Sequence, residues 1–350
     1  RFMMKNIGII GCGKIAQTRH IPEYMDNQDS RLAAFYDVNA ERARFLAKKY
    51  GGRAYGTYRE LLQDKEIDAV SVCVPNELHA QISIEALKAG KDVLCEKPMA
   101  VSLTECRQMV AAARESGKCL MIGQNQRLAR GHVLAKQLIE RGDIGRIITF
   151  RTTFGHGGPE GWSIDPGRDT WFFDKKKAAM GAMADLGIHK TDLIQYLLGE
   201  HVAEATAVMA SLDKKDGSGR LIEVDDNAIC IYKMESGVVG TMTASWTYYG
   251  QEDNSTVLYG TEGIMRIYED PEYCIKIIKP GNEVILYNVD QIQTNDKQTR
   301  SGVIDAFVEC IVQGKEPPIS GSSVLSAMKA VFASMESAKT GKTIRIGGGE

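Results

Sequence analysis

The sequence lacks the features that mark a nucleic-acid-binding protein or a membrane protein. Its 350 residues contain 43 lysines and arginines against 45 aspartates and glutamates, which gives a formal net charge of −2 at pH 7. This balance provides no electrostatic reason to bind nucleic acid or an anionic membrane surface. No apolar run approaches the length that a helix needs to cross a bilayer. We therefore expect neither nucleic acid nor membrane as a partner.

The cysteines are scattered along the chain, and their pattern argues against a metal site. The eight cysteines form no C-x-x-C pair and no Cys/His cluster, and several lie in apolar, strand-like segments. No signal-peptide pattern precedes the first of these segments. We expect reduced, buried thiols, no metal and a cytoplasmic location.

Length and the order of apolar segments predict two domains. A chain of 350 residues, 43% hydrophobic and 25% charged, has an ordinary globular composition and is long for one core. Six short apolar segments alternate with helical patterns in the first third, which predicts a doubly wound parallel sheet of the Rossmann type. We place this nucleotide-binding domain at residues 1–124.

The pattern changes in residues 125–350. Longer strand-like segments predominate, among them 221–234, with a plausible hairpin turn at 235–237 and one strong helix at about 182–198. We predict an α+β substrate domain with an open, mostly antiparallel sheet. The two final helices, at about 302–313 and 324–340, are candidates for packing back on the first domain.

A glycine turn after the first strand points to a bound dinucleotide. The apolar segment 7–10 is followed by GCGKIA, which continues into a helix. Such a turn brings backbone N–H groups and a helix N-terminus to a pyrophosphate. Gly11 permits the tight turn, and Gly13 lets the backbone approach the phosphates. Because glycine-rich turns are common in α/β proteins, this interpretation depends on its context.

Asp37 supplies that context and indicates which dinucleotide binds. It ends the apolar segment 31–37, about twenty residues after the glycines, where a carboxylate can accept hydrogen bonds from the adenosine ribose. A carboxylate repels a 2′-phosphate, so Asp37 favours NAD, while Arg42 and Arg44 leave NADP as the less favoured choice. The alternative is a turn-forming aspartate at the end of a strand.

Two groups of polar residues could carry chemistry. Glu96-Lys97-Pro98 directly follows a strand, at the sheet edge where open α/β proteins bind ligands, although a surface lysine is also compatible with this pattern. Asp185 and His189 are four residues apart on the predicted helix and therefore share a face. A histidine beside a carboxylate is a usual general base, and the alternative is an ion pair on the helix surface.

The loop at 156–177 combines aromatic and polar side chains among glycines and prolines. Aromatic rings can stack on the C–H faces of a sugar-like polyol, and polar groups can bind its hydroxyls. The alternative is a loop that packs its aromatic rings against its own domain. The candidate substrate residues in this loop are Trp162, Arg168, Asp169 and Trp171.

Together, these motifs resemble the Gfo/Idh/MocA family, which includes glucose–fructose oxidoreductase and inositol dehydrogenase. The resemblance runs nearly end to end and rests on GCGKIA, VPNELHA, LCEKPMA, GQNQR and ADLGIHKTDLIQYLLG. It implies a catalytic set of Lys97, Asp185 and His189, and a contribution of Arg127 to the substrate pocket. It also implies a group of residues around the cofactor, namely Gly11, Gly13, Lys14, Ile15, Asp37, Pro75, Asn76, His79 and Glu96.

The resemblance implies an NAD-dependent dehydrogenase that oxidises a secondary hydroxyl of a sugar, glycoside or cyclitol. The open sheet would mediate assembly into a homodimer or homotetramer. Three alternatives remain: a keto-sugar reductase, a glycoside-processing enzyme that recycles a tightly held NAD, and a non-catalytic nucleotide sensor. The sensor is disfavoured because it needs no proton-transfer set. The sequence departs from the family at Ala16, at Gln126 and in its longer aromatic loop, and these departures leave the substrate open.

Overall fold

In the computed structural model, which describes residues 3–292 and 300–347, the chain divides into two units. The described part of the first unit contains residues 3–125, 162–164 and 300–325. The second contains residues 126–161, 165–292 and 326–347.

Strands and helices alternate along residues 3–125 of the first unit. The strands are β1 Lys5–Ile10, β2 Ser30–Tyr36, β3 Arg53–Ala54, β4 Ala69–Val72, β5 Asp92–Cys95 and β6 Leu120–Ile122. The helices are α1 Ile21–Asp26, α2 Ala40–Tyr50, α3 Tyr58–Gln63, α4 His79–Lys88 and α5 Leu103–Ser116. A π-helical turn, Ala16–His20, precedes α1, and a 3₁₀ turn, Asn76–Leu78, precedes α4.

The six strands form one parallel sheet in the order β3-β2-β1-β4-β5-β6. Every residue of β4 is buried, as are the last four residues of β1, which fits a sheet covered on both faces. This confirms the predicted doubly wound Rossmann sheet. Because β1, β4 and β5 are neighbours, the segments that follow them meet at one carboxyl edge.

Local capping explains where several of these helices begin and end. The Asn39 side chain accepts a hydrogen bond from the Arg42 backbone N–H and starts α2. Thr57 and Glu60 form a reciprocal capping box at the start of α3. Gly117, at φ 66°, ends α5 in the left-handed conformation that glycine adopts most easily.

The second unit is built around a nine-stranded sheet. Its strands are β7 Ile147–Gly155, β8 Val202–Ala210, β9 Asn227–Met234, β10 Val239–Ser245, β11 Asp253–Gly260, β12 Gly263–Ile267, β13 Ile275–Ile278, β14 Val284–Tyr287 and β15 Ile344–Arg345. Their order is β14-β13-β12-β11-β7-β10-β9-β8-β15, and β7 and β10 form a parallel pair in an otherwise antiparallel sheet. The helices are α6 Arg130–Arg141, α7 Lys175–Ala178 and α8 Ile188–Leu198.

Helices cover one face of this sheet. Along β9, buried and exposed side chains alternate, with Tyr232 on the buried side. The Tyr232 hydroxyl lies 2.8 Å from Thr191 Oγ1 on α8 and 3.3 Å from Ser334 Oγ on the long C-terminal helix. The predicted open, mostly antiparallel sheet is therefore confirmed.

The C-terminal segment adds two helices, α9 Val303–Gln313 and α10 Gly321–Thr340. Ser301, just before α9, donates a hydrogen bond to the buried Glu23 carboxylate of α1, with Oγ 2.9 Å from Oε2. Helix α9 thus packs with the first unit. No helix of the described ranges combines the length and hydropathy needed to cross a bilayer.

Two predicted elements differ from the observed ones, and a third is confirmed. The strand predicted at 221–234 begins only at Asn227, because the Asp225 and Asp226 carboxylates accept backbone N–H groups of other segments before it. The helix predicted at 182–198 consists of a π-helical turn, Met183–Gly187, followed by α8. The predicted hairpin turn at 235–237 is confirmed, with the Met234 N–H donating to the Val238 carbonyl across it.

Candidate active site

The glycine turn after β1 has the close backbone approach that its sequence predicts. Gly11 lies at φ 90°, and an added Cβ would lie 2.6 Å from the carbonyl carbon of Cys73. Its N–H donates to the Tyr36 carbonyl at 2.8 Å, which ties the turn to the end of β2. No side chain fits here without displacing the backbone, so glycine is required.

Gly13 provides open space where a phosphate would approach. An added Cβ there would meet only Ile164 Cγ2, at 4.0 Å. Lys14 and Ile15 begin the helical segment directly after it, so their backbone N–H groups belong to the first helical turn, which lacks intrahelical acceptors. Open space, a helix N-terminus and its partial positive charge fit the pyrophosphate of a dinucleotide.

Asp37 is anchored to this turn. Its Oδ2 accepts the Cys12 N–H at 2.7 Å and its Oδ1 accepts the Asn39 N–H at 2.8 Å, while Arg42 Nη1 lies 3.8 Å from Oδ1. A carboxylate oxygen that accepts one N–H can still accept a ribose hydroxyl. Asp37 therefore stands beside the glycine turn, as a dinucleotide site requires.

Replacing Asp37 tests the predicted cofactor preference. We expect Asp37→Ser to shift the ratio of kcat/KM for NAD to that for NADP by about 100-fold toward NADP, because hydrogen bonds to a charged acceptor contribute roughly 2 kcal/mol each. The assay is steady-state kinetics with both cofactors, and Glu41→Gln, which removes an exposed carboxylate at the start of α2, is the control. An unchanged ratio in the Asp37 variant would contradict the assigned role.

The segment after β5 places Lys97 at the same sheet edge. Lys97 is half-buried, and its backbone N–H donates to Glu96 Oε2 at 3.2 Å. Glu96 Oε1 lies 2.8 Å from His20 Nε2 and 3.5 Å from Arg19 Nη1. Burial alone would raise the pKa of Glu96, but the His20 hydrogen bond and the charges of His20, Arg19 and Lys97 outweigh it and lower the pKa to about 2. Glu96 is thus ionised, and its carboxylate is bound by His20, Arg19 and the Lys97 N–H.

The segment after β4 completes this edge. Pro75 precedes the 3₁₀ turn Asn76–Leu78, which starts at the buried Asn76 and leads into α4 at His79. His79 Nδ1 lies 2.6 Å from the Pro98 carbonyl oxygen, and Nε2 lies 2.8 Å from the Val74 carbonyl oxygen. Burial lowers the pKa of His79, while the two carbonyl oxygens favour its protonated form. Both ring nitrogens of this predicted cofactor residue are therefore occupied by the protein.

In the second unit, Asp185 lies in the π-helical turn and His189 is the second residue of α8. Asp185 Oδ2 accepts the Trp246 indole N–H at 3.0 Å and lies 3.9 Å from His156 Nε2. The buried His189 ring lies 5.8 Å from the Phe154 ring, centre to centre. A carboxylate and two imidazoles therefore belong to one region of this unit.

Asp225 fixes the start of the helical segment that carries Asp185 and His189. Its carboxylate accepts the N–H groups of Gly181 and Met183, each at 2.8 Å, and so caps the π-helical turn that carries Asp185. An added Cβ at Gly181 would overlap the Asp225 backbone. Sequence reasoning missed Asp225 and His156; only the place of His156 directly after β7 could have marked it.

The predicted substrate residues occupy different surroundings. Arg127 forms a bidentate ion pair with the buried Asp192 of α8, with Nε 2.7 Å from Oδ2 and Nη2 2.6 Å from Oδ1. Arg168 and Asp169 are exposed, and the Asp169 side chain lies against Gly217. Arg127 is thus bound to α8 through its ion pair with Asp192.

The two predicted tryptophans of the loop also separate. Trp162 is half-buried in the short segment 162–164 that belongs to the first unit. Trp171 belongs to the second unit, where its ring stacks on Phe172 at a centre-to-centre distance of 4.0 Å. The loop therefore presents aromatic surface in two places.

Comparison with protein-family models identifies the family. Residues 5–124 match the NAD-binding Rossmann fold of an oxidoreductase family, GFO_IDH_MocA, and residues 132–266 match the GFO/IDH/MocA C-terminal domain. The chain belongs to the Gfo/Idh/MocA oxidoreductase family. The resemblance predicted from the motifs is confirmed, and the first unit is an NAD-binding Rossmann domain of an oxidoreductase.

Two relatives to which this chain is similar are named after an anhydrosugar. Levoglucosan dehydrogenase from Pseudarthrobacter phenanthrenivorans is 31% identical over 65% of this chain, and the match spans 62% of that relative. 1,5-Anhydro-D-fructose reductase from Ensifer adhaerens is 29% identical over 98% of this chain and 99% of its own length. A solved levoglucosan dehydrogenase in complex with NADH and levoglucosan shares the fold, with a TM-score of 0.86, 24% identity and coverage of 98% of this chain and 100% of that one.

In this Gfo/Idh/MocA chain, the residue after His189 is a buried lysine, Lys190. No motif predicted its burial. It is fully buried on α8, its Nζ lies 5.9 Å from the centre of the Phe154 ring, and Nζ has no hydrogen-bond partner among the described residues. Burial lowers the pKa of Lys190 to about 7, although the charges of Asp253 and Glu252 oppose this shift. The folded state therefore releases a proton that the unfolded state keeps.

Because the pKa of Lys190 is lower in the folded state, its burial should lower the free energy of unfolding by an amount that depends on pH. An unfolded lysine stays protonated to about pH 10, so between about pH 7 and pH 9 the Lys190 contribution to the free energy of unfolding rises by about 1.4 kcal/mol per pH unit. We expect Lys190→Met to stabilise the protein most near pH 7 and progressively less toward pH 9. Urea unfolding across this range measures the difference, with Lys339→Met, at an exposed lysine, as control. If the free energies of unfolding of wild type and Lys190→Met differed by the same amount at every pH, the lowered pKa of Lys190 would be contradicted.

Proposed function

We propose that the protein is an NAD-dependent dehydrogenase that oxidises a secondary hydroxyl of a sugar, glycoside or cyclitol. The arrangement of three segments in the first unit supports this proposal most directly. The glycine turn, the segment of Asn76 and the segment of Lys97 follow β1, β4 and β5, three neighbouring strands of one parallel sheet. A cofactor turn and a cationic side chain therefore share the edge at which such sheets bind ligands.

The proposed roles follow from the chemistry of the reaction. Bound NAD accepts the hydride that leaves the substrate carbon. The Lys97 ammonium donates a hydrogen bond to the reacting oxygen and stabilises the negative charge that develops on it. His189 accepts the hydroxyl proton as general base. Asp185, held by Trp246, orients that histidine or binds a neighbouring hydroxyl.

The substrate class is supported by the relatives and by the loop. The names of two relatives describe anhydrosugars, levoglucosan and 1,5-anhydro-D-fructose. The stacked Trp171 and Phe172 rings offer a flat aromatic surface, and the exposed Arg168 and Asp169 offer polar groups. We propose that this loop selects a pyranose-like ring through stacking on its C–H faces and hydrogen bonds to its hydroxyls.

The reverse direction is a second candidate. The relative named as a reductase matches this chain over 98% of its length, and hydride transfer is reversible. Reduction of a keto-sugar would use the same residues, with Lys97 donating a hydrogen bond to the carbonyl oxygen and protonated His189 supplying the proton. Direction then depends on which substrate and which cofactor form are available.

A substrate panel tests the proposal. The protein is incubated with sugars, glycosides and cyclitols, with NAD and NADP side by side, and the near-ultraviolet absorbance of the reduced cofactor is followed. We expect NAD reduction with at least one pyranose or cyclitol. A cofactor that co-purifies and survives dialysis would favour the enzyme that recycles its NAD. No absorbance change in either direction would contradict the proposal and favour a nucleotide sensor.

We also propose a cytoplasmic homodimer or homotetramer. Val208, Ile229 and Ile231 lie on the open face of the second sheet with 65%, 54% and 52% of their surfaces exposed, and Val208 pairs with Ile229 across β8 and β9. A contiguous apolar patch of this kind favours association. The eight cysteines are free thiols, which suits a reducing compartment. Light scattering that gave a monomer at micromolar concentration would contradict the assembly.

A further inference from the structure

The turn that carries Lys97 is bonded on both sides to buried histidines. His20 contacts the side chain of Glu96, the residue before Lys97, and His79 contacts the backbone of Pro98, the residue after it. Both histidines are at most 1% exposed, and both belong to the first unit. A half-buried lysine between two such fixed points has little freedom in its backbone.

His20 is held in place by its own hydrogen bonds. Its Nε2 lies 2.8 Å from Glu96 Oε1, and its Nδ1 lies 2.9 Å from Ser71 Oγ on β4. Ser71 Oγ lies 2.7 Å from the hydroxyl of the fully buried Tyr24. This chain of side chains leaves neither ring nitrogen of His20 without a partner, so the ring orientation is fixed.

The glycine turn determines where His20 lies. His20 is the last residue of the π-helical turn Ala16–His20, which begins three residues after Gly13. A π-helical turn accommodates one residue more than a regular helical turn and is frequent at functional sites. The segment that would bind the pyrophosphate therefore also carries the histidine that holds Glu96.

Glu96 transmits this contact to Lys97. Its Oε2 accepts the Lys97 N–H at 3.2 Å, and its carboxylate packs so closely on Gly123 that an added Cβ there would lie 3.0 Å from both oxygens. Arg19 Nη1, 3.5 Å from Oε1, compensates the buried charge. A carboxylate confined by His20, Arg19 and Gly123 presents Oε2 to the Lys97 backbone in one position.

His79 fixes the other end of the turn. Its Nδ1 lies 2.6 Å from the Pro98 carbonyl oxygen and its Nε2 lies 2.8 Å from the Val74 carbonyl oxygen. As the first residue of α4, it joins the segments that follow β4 and β5. The two histidines thus connect Lys97 to the segments after β1 and β4.

We propose that His20 and His79 are positioning residues that hold the Lys97 turn at the cofactor edge of the sheet. This inference rests on the proposed role of Lys97 in hydride transfer. A displacement of about 1 Å of a group that stabilises a transition state can cost roughly 100-fold in rate while binding is retained. Loss of either histidine should therefore reduce the chemical step more than it reduces cofactor or substrate binding.

The test compares variants that break or keep these contacts, using the substrate found by the panel. His20→Leu and His79→Leu are expected to lower kcat by about 10- to 100-fold, with changes of less than about threefold in KM and in the dissociation constant of NAD. His20→Gln keeps an amide donor for Glu96 and should recover most of kcat. The primary deuterium isotope effect on kcat should rise in both Leu variants, because hydride transfer becomes slower relative to product release.

His132→Leu is the matched control for burial. His132 is also fully buried but lies in the second unit, where its Nδ1 is 2.6 Å from the Gln126 carbonyl oxygen. This variant should lower Tm without raising the isotope effect. A merely structural role predicts the same for the Leu variants at positions 20 and 79, since an unfolded fraction lowers kcat but leaves the isotope effect unchanged.

Two outcomes separate this inference from the proposed function. If Lys97→Ala is inactive but a histidine variant has normal kcat and a normal isotope effect, the positioning role of that histidine is overturned and the proposed function stands. If Lys97→Ala itself turns over normally, the proposed role of Lys97 is wrong, and the inference is overturned with it.

Discussion

Lys97→Ala is expected to lower kcat about 1,000-fold. Removal of one preorganised donor that stabilises a developing negative oxygen typically costs 100- to 1,000-fold. The Lys97 ammonium carries a full positive charge, which makes its hydrogen bond stronger than that of a neutral donor, so the upper end of this range applies. Because this interaction forms mainly in the transition state, the KM of the substrate should change far less than kcat.

Two controls isolate the effect of Lys97. Lys88→Ala removes an exposed lysine of α4 and should retain wild-type turnover. NAD binding and Tm of the Lys97 variant should remain near wild type, since the side chain is half-buried and the turn is held through Glu96 and Pro98. Turnover by Lys97→Ala within about threefold of wild type would exclude Lys97 from the chemical step.

His189→Ala is expected to lower kcat by about 100- to 10,000-fold, the usual contribution of a general base. The pH profile should change as well. Oxidation needs a deprotonated base, so the wild-type rate should rise with pH as the imidazole loses its proton. This ascending limb should disappear in the variant, in which no imidazole at this position accepts the proton.

The neighbouring groups make the His189 prediction specific. Asp185→Asn should lower kcat less than His189→Ala, because the amide can still accept the Trp246 N–H through its oxygen. His201→Ala changes an exposed histidine of the same unit and serves as the control. A His189 variant that keeps the ascending limb of the pH profile would place the base elsewhere, and His156, 3.9 Å from Asp185, would be the next candidate.

The Rossmann unit was predictable from the sequence because its signals are local. Short apolar segments, the cap at Asn39, the capping box of Thr57 and the terminal Gly117 each act within a few residues. The glycine turn and Asp37 follow a spacing that the topology of the sheet imposes. Their hydrogen-bonded connection through Cys12 agrees with that spacing.

The contacts that fix the site were not predictable, because they join residues far apart in sequence. Glu96 meets His20 across 76 positions, and Asp225 caps the Asp185 turn across more than 40. Periodicity cannot show that Arg127 is engaged by Asp192, or that both ring nitrogens of His79 contact carbonyl oxygens. The strand predicted at 221–234 starts late for the same reason, since Asp225 and Asp226 accept N–H groups of other segments.

The most direct test of hydride transfer uses the substrate found by the panel, deuterated at the reacting carbon. Mass spectrometry of the reduced cofactor then measures whether the label moves. We expect one deuterium in each NADH formed and slower turnover than with the unlabelled substrate. NADH without deuterium, or product formed without any reduction of bound or free NAD, would contradict hydride transfer from the sugar carbon to the nicotinamide.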